Sequence, residues 1–159
     1  MTRRWPKFFT VVIALGIASC AQPARETPVN KTVAPAAAQK PARINGRGAV
    51  SSVSLTELFA LQQSGKVLLY DSRPGFYYHL GHIPGAISLP KANCDPQIAA
   101  REVEIKAALA AKKTIVVYCS NMACPDSRTV AIHMAGFGYP CAILQGGWES
   151  WKESGLPTE

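Results

Sequence analysis

Fifteen consecutive residues, Thr114 to Arg128, constrain the fold of this chain more than any others: TIVVYCSNMACPDSR. Thr114 to Tyr118 are β-branched or aromatic and read as a buried strand. Pro125-Asp126-Ser127 then opens a helical pattern in which Ser127, Val130, Ala131 and Met134 recur on one face. A tight loop, Ser120 to Cys124, joins the two and leaves Cys119 at the carboxyl end of the strand. Open α/β sheets place their ligands there. Unpaired amides at the helix N-terminus, together with the helix dipole, favour a thiolate over a thiol and hold anions. The residues alone leave two readings of Cys119: a nucleophilic, sulfur-handling cysteine exposed at the sheet rim, or a buried strand-end cysteine packing as a small hydrophobe.

The flanking sequence repeats the alternation of strand and helix. Ser54-Leu55-Thr56-Glu57 is a capping box, Leu55, Leu58, Phe59 and Leu61 form an apolar stripe, and Gly65 ends the helix. Val67 to Tyr70 is an apolar run too short for a helix, bounded by Asp71. Pro74-Gly75, an aromatic segment Phe76 to Tyr78, and the turn Gly81-His82-Ile83-Pro84-Gly85-Ala86 follow, with a short strand at Ile87 to Leu89. Asp95 as N-cap and Pro96 at the first helical position start a helix running to about Ala111, with Ile98, Ile105 and Leu109 inward and a Glu102–Lys106 pair outward. The helix after the central loop ends near Gly136 or Gly138, Ala142 to Leu144 is one more strand, and Gly146-Gly147-Trp148 turns into a final helix closed by Gly155-Leu156-Pro157. Short strands alternating with helices predict an α/β domain, a parallel sheet covered on both faces.

The chain of 159 residues carries a formal charge of +7, but the excess is confined to one end. Eight Lys/Arg and one acid precede residue 50, and nine of each sign follow it. A basic head on a neutral body is not the clustered patch that nucleic acid requires, so no nucleic-acid partner is expected. Arg3, Arg4 and Lys7 precede an apolar run, Phe8 to Ile17, that is shorter than the ~20 residues needed to cross a bilayer. This is the anatomy of an export signal. Its ending, Ile17-Ala18-Ser19-Cys20, resembles the lipobox of bacterial lipoproteins. That resemblance implies a signal peptide at 1–19, a lipidated Cys20, and a membrane-anchored protein at the periplasmic face or cell surface. Ala21 in place of Asp would, in a Gram-negative cell, resemble outer-membrane sorting. Four prolines and many alanines make 20–49 a disordered tether, and the folded domain is expected at 50–159.

Three groups of residues, in register over about 50 to 158, resemble the rhodanese domain. They are Asp71-Ser72-Arg73 followed by Gly81-His82-Ile83-Pro84-Gly85-Ala86; Tyr118-Cys119 with Ser127 opening the next helix; and Gly146-Gly147-Trp148 with Trp151 and Gly155-Leu156-Pro157. The resemblance implies a three-layer fold, a parallel sheet of about five strands flanked by helices. It also implies that Cys119 takes a sulfane sulfur from a donor and passes it to a nucleophilic acceptor. On that pattern the amides of Ser120, Asn121, Met122, Ala123 and Cys124 cradle the persulfide, as an oxyanion hole would. Asp71, Arg73, His82, Ser127 and Arg128 support the site.

The sequence departs from the pattern in three places. The interval from Cys119 to Ser127 is longer than in many members and holds no Lys or Arg, only Asp126, with Arg128 the nearest cation. Thiosulfate, a dianion, therefore finds little charge complementarity, and a persulfide or polysulfide donor with a thiol or other nucleophilic acceptor fits better. Tyr77 stands where an acid is frequent. A second cysteine, Cys124, is placed to resolve a Cys119 persulfide or sulfenic acid into a disulfide, or simply to fill space.

No cofactor and no metal are expected: His79, His82 and His133 lack ligand spacing, and His133 reads as incidental. Asp71 and Arg73 read as a structural pair, His82 as a hydrogen-bonded turn residue, and Trp148 and Trp151 as core or lid. The state of Cys94 and Cys141 is open. Three functions remain: an envelope sulfurtransferase, a catalytically quiet rhodanese-like module presenting its loop to a protein partner, and a Cys119–Cys124 redox module. A cysteine-dependent phosphatase is not expected, because the position six after Cys119, where Arg would clamp phosphate, is Pro125.

Overall fold

Alternation along one strand sets the layers. In β5, Thr114–Tyr118, Ile115 and Val117 face one core and Val116 and Tyr118 the other, and all four are buried. The computed structural model describes residues 42, 43 and 48–159. The expected signal segment 1–19, Cys20 and nearly all of the tether 20–49 lie outside the described residues.

Around β5 the sheet runs β1-β2-β6-β5-β3-β4. Its members are β1 Ala42–Arg43, β2 Ala49–Val53, β3 Val67–Asp71, β4 Ile87–Ser88 and β6 Cys141–Leu144. The five strands from β2 to β6 pair in parallel, as the fold class required, and β1 adds an antiparallel edge against β2. Ala42–Arg43, inside the segment read as a tether, is thus paired to the sheet. The sequence does not announce strand β2, because Ser51 and Ser52 interrupt its apolar run.

Helices α3 (Cys94–Ala100), α4 (Glu102–Ala110) and α5 (Asp126–Gly136) cover one face over Tyr70, Ile115, Val117 and Cys141. Helices α1 (Leu55–Gln63) and α6 (Gly147–Glu153) cover the other over Leu69, Val116, Tyr118 and Ala142. The short α2, Gly75–His79, occupies the aromatic segment.

Two helix boundaries differ from expectation. The helix expected from Asp95 starts at Cys94 behind Asn93, which adopts a left-handed conformation (φ 59°), so Pro96 falls within the first turn, where its missing N–H costs nothing. It also breaks at Arg101, whose N–H is shared between the Gln97 and Ile98 carbonyls and whose guanidinium reaches the Ser88 carbonyl at 3.4 Å. No Gly or Pro marks that break.

Candidate active site

Cys119 follows directly on β5 and forms a disulfide with Cys124, their Cα atoms 6.1 Å apart. This corrects the expectation of an exposed sulfur. Cys119 is 2 % exposed, while its partner Cys124 is half-buried and lines a surface groove.

The backbone on which Cys119 sits is held from two sides. The Ser72 hydroxyl and N–H both donate to the Tyr118 carbonyl, at 2.6 and 2.9 Å. From the other face, the Trp148 and Glu149 N–H groups at the start of α6 donate to the Cys119 and Ser120 carbonyls, each at 2.9 Å. This approach explains Gly146-Gly147-Trp148: Gly147 has φ 58°, and a Cβ there would strike the Cys119 carbonyl oxygen.

The loop is ordered by Asn121. Its side-chain oxygen accepts from the Ala123 N–H at 3.1 Å, its carbonyl accepts from the Cys124 N–H at 3.3 Å, and its amide donates to both Glu149 carboxylate oxygens at 2.9 and 3.0 Å. In the disulfide form, then, two of the five amides expected to cradle a persulfide are engaged inside the loop. Ser120 is half-buried, and Met122 and Ala123 are exposed. The Asn121–Glu149 link escaped the sequence reading, since it joins residues 28 apart whose meeting depends on α6 docking at the loop.

Asp71 and Arg73 form the structural pair that was expected. Arg73 donates to the Asp71 carboxylate from its backbone N–H (2.9 Å), Nε (3.0 Å) and Nη2 (2.6 Å), and Nη2 also reaches the Gly81 carbonyl at 2.7 Å. Both residues are buried, and the guanidinium lies 4.7 Å from the Trp148 ring and 5.7 Å from that of Tyr118. Burial, with the Asp71 charge next in weight, keeps the Tyr118 phenol protonated, and its oxygen accepts the Ile83 N–H at 3.1 Å. His82 is a turn residue: its ring stacks on Tyr78 at 3.9 Å and its Nδ1 lies 3.1 Å from the Tyr78 carbonyl.

Two grooves flank the disulfide loop. One, of about 350 Å³, is lined by Ser51, Ser52, Cys124, Ser127 and Arg128 among others, so Ser127 and the exposed Arg128 share a groove with Cys124. The other, of about 470 Å³, lies on the Ser120 side and is lined by Arg73, Tyr77, Leu80, Trp148 and Lys152. His82 lines neither.

A negative charge stands close to the two sulfurs, an Asp126 carboxylate oxygen within 4.8 Å of both. A full charge at that separation opposes a thiolate by roughly 3 kcal/mol at an effective dielectric of 20. Lys91 pairs with Asp126 at 2.5 Å and offsets that opposition, leaving the N-terminus of α5 to favour ionisation. Cys94 and Cys141 are free, buried thiols, and burial raises the Cys141 thiol to about 12. Neither is suited to nucleophilic work without a further partner.

Comparison with known proteins agrees with this geometry. The rhodanese-like domain family matches residues 54–154. The BH2092 protein of Bacillus halodurans is 26 % identical, with a TM-score of 0.59 over 68 % of this chain and 75 % of that one. The human single-domain sulfurtransferase TSTD1 is 26 % identical, with a TM-score of 0.52 over 64 % of this chain and 95 % of its own. An HTH-type transcriptional regulator of Mycobacterium tuberculosis, Rv0324, is 33 % identical over 111 residues, and the match spans 68 % of this chain but only 44 % of that curated relative.

Proposed function

The chain belongs to the rhodanese-like family, and from that premise we propose that it is an envelope sulfurtransferase carrying sulfane sulfur as a persulfide on Cys119. The observation that carries this reading is the Cys119–Cys124 bridge at the carboxyl end of β5, beside the N-terminus of α5.

With the bridge reduced, the Cys119 thiolate attacks the sulfane sulfur of R–S–S⁻. A sulfur–sulfur bond forms to Cys119, the sulfur–sulfur bond of the donor breaks, and the thiolate RS⁻ departs. An outside nucleophile then takes the terminal sulfur and returns the Cys119 thiolate. Alternatively, Cys124 attacks the Cys119 sulfur itself, forming the disulfide and expelling sulfide, in which case the sulfane sulfur is reduced by the two thiols and an external dithiol must reset the pair. The carboxylates of Asp126 and Glu149 beside the loop, and the engagement of Arg73 by Asp71, favour a persulfide or polysulfide donor over dianionic thiosulfate. Location at the envelope rests on the segment 1–20, with lipidated Cys20 as the anchor.

The same bridge supports a second reading, a thiol–disulfide module that never holds sulfur. Intact mass separates the two. The full-length chain carrying Cys20→Ala is reduced, freed of reductant, and exposed to polysulfide or thiosulfate. Sulfur transfer requires a one-sulfur adduct from polysulfide that is lost in Cys119→Ser and retained in Cys124→Ser. Oxidation to the disulfide with no adduct on any variant overturns it in favour of redox exchange, and an inert pair leaves a binding module. The anchor is tested by fractionation, where unchanged membrane partitioning of Cys20→Ala would refute it.

A further inference from the structure

On the face of the sheet away from α6, the fold brings His133 to the neighbouring pair Cys94 and Asp95, 38 residues away from Asp95 in sequence. The Asp95 carboxylate lies 2.5 Å from His133 Nδ1, joining the start of α3 to the last turn of α5 across 38 residues. The Cys94 thiol points to the same carboxylate oxygen at 3.9 Å, and the three donor atoms all lie within 4.8 Å of one another. From these contacts we propose that Cys94, Asp95 and His133 form a zinc site that clips α3 to α5.

The donor set and its geometry both fit. One thiolate, one imidazole and one carboxylate are a ligand set for Zn²⁺, whose bonds of about 2.3 Å to sulfur and about 2.0 to 2.2 Å to nitrogen and oxygen place tetrahedral ligands about 3.4 to 3.6 Å apart. To meet those spacings Asp95 and His133 must separate by about 1 Å, Cys94 and Asp95 approach by a few tenths, and Cys94 and His133, now within 4.8 Å, close to the same range. Rotation of two surface side chains supplies this, since Asp95 and His133 are about half exposed while Cys94 is fixed beneath them. A hollow of about 310 Å³ lined by Asp95, Ile132, His133, Gly136 and Phe137 lies beside two of the three donors, where a water can serve as fourth ligand.

Charge balance favours a dication. On binding, the Cys94 proton leaves to solvent and the neutral imidazole keeps its proton on Nε2, so thiolate and carboxylate cancel the charge of the metal. Without a metal, burial and then the neighbouring Asp95 charge push the Cys94 thiol up from its ordinary range.

The test uses the full-length chain with Cys20→Ala throughout and the Cys119–Cys124 disulfide intact, confirmed by mass, so that neither group competes. Co²⁺ is the spectroscopic probe and Zn²⁺ the competitor. One equivalent of Co²⁺ should give a near-ultraviolet thiolate-to-cobalt band that Zn²⁺ abolishes. Zinc in hundredfold excess over its Kd should raise the melting temperature by roughly 10 °C. Cys94→Ser and His133→Ala, each checked for native circular dichroism in chelator, should lose both responses, while Cys141→Ser keeps them. A wild-type chain without the band, or a band that survives Cys94→Ser, would overturn the site. His133→Ala is a surface change, so loss of the band there reports ligation even if Cys94→Ser folds poorly.

Discussion

The backbone N–H of Trp148 donates to the carbonyl oxygen of Cys119 at 2.9 Å, and Gly147 is what lets α6 come that close. A methyl group at 147 meets the Cys119 carbonyl and must also adopt φ 58°, which alone costs about 1–2 kcal/mol. Gly147→Ala is therefore expected to lose at least ~2 kcal/mol in urea unfolding and to loosen the loop. Stability equal to wild type would show that α6 docks without this contact.

Asp71 and Arg73 are both buried, so removing one strands the other. Arg73→Met leaves an unpaired buried carboxylate and should cost ~3–5 kcal/mol, whereas Asp71→Leu with Arg73→Met should recover much of the loss, because replacing both charges by apolar groups is often nearly neutral. A double-mutant cycle by chemical denaturation measures both. Additive losses would mean that the two charges do not depend on each other.

The sequence made legible what is local. β5, the loop and α5 followed from a β-branched run and a helix start, and the capping box at Ser54 is present with both its hydrogen bonds. Where register or docking decides, the sequence was silent. β2 hides behind Ser51 and Ser52, whose hydroxyl-bearing side chains are half-buried between neighbouring strands, and no apolar run announces it. The spacing of Cys119 and Cys124 allowed a bridge, but only the path of the loop brings their Cα atoms to 6.1 Å. His133 looked incidental for the same reason, as its partner enters from α3.

Stability should respond to acid through Glu57. The Ser54 N–H and hydroxyl both donate to its carboxylate, at 2.8 and 2.7 Å, and hold its pKa below the ordinary glutamate range. A depressed folded-state value contributes stability that is fully present above the unfolded pKa and is lost as pH falls through the folded one. Glu57→Gln should thus be less stable than wild type at neutral pH, with the gap closing in acid. Ser54→Ala should cost ~1 kcal/mol. A gap independent of pH would place the effect in helix propensity instead of the carboxylate.

Reactivity of the reduced pair should depend on Lys91 through Asp126. With Lys91 removed, the Asp126 carboxylate within 4.8 Å of both sulfurs is no longer offset, and the thiolate is disfavoured. Lys91→Met is expected to slow alkylation of the reduced protein at neutral pH several-fold, Asp126→Asn to speed it, and the double variant to resemble Asp126→Asn. Iodoacetamide kinetics on the Cys20→Ala chain, followed by intact mass, read this, because Cys94 and Cys141 are buried and burial raises both thiols, Cys141 to about 12. The order of the three rates is the informative outcome. If Lys91→Met slows the reaction even in the Asp126→Asn background, Lys91 acts on the sulfurs themselves, and the N-terminus of α5 is not the main force keeping them ionised.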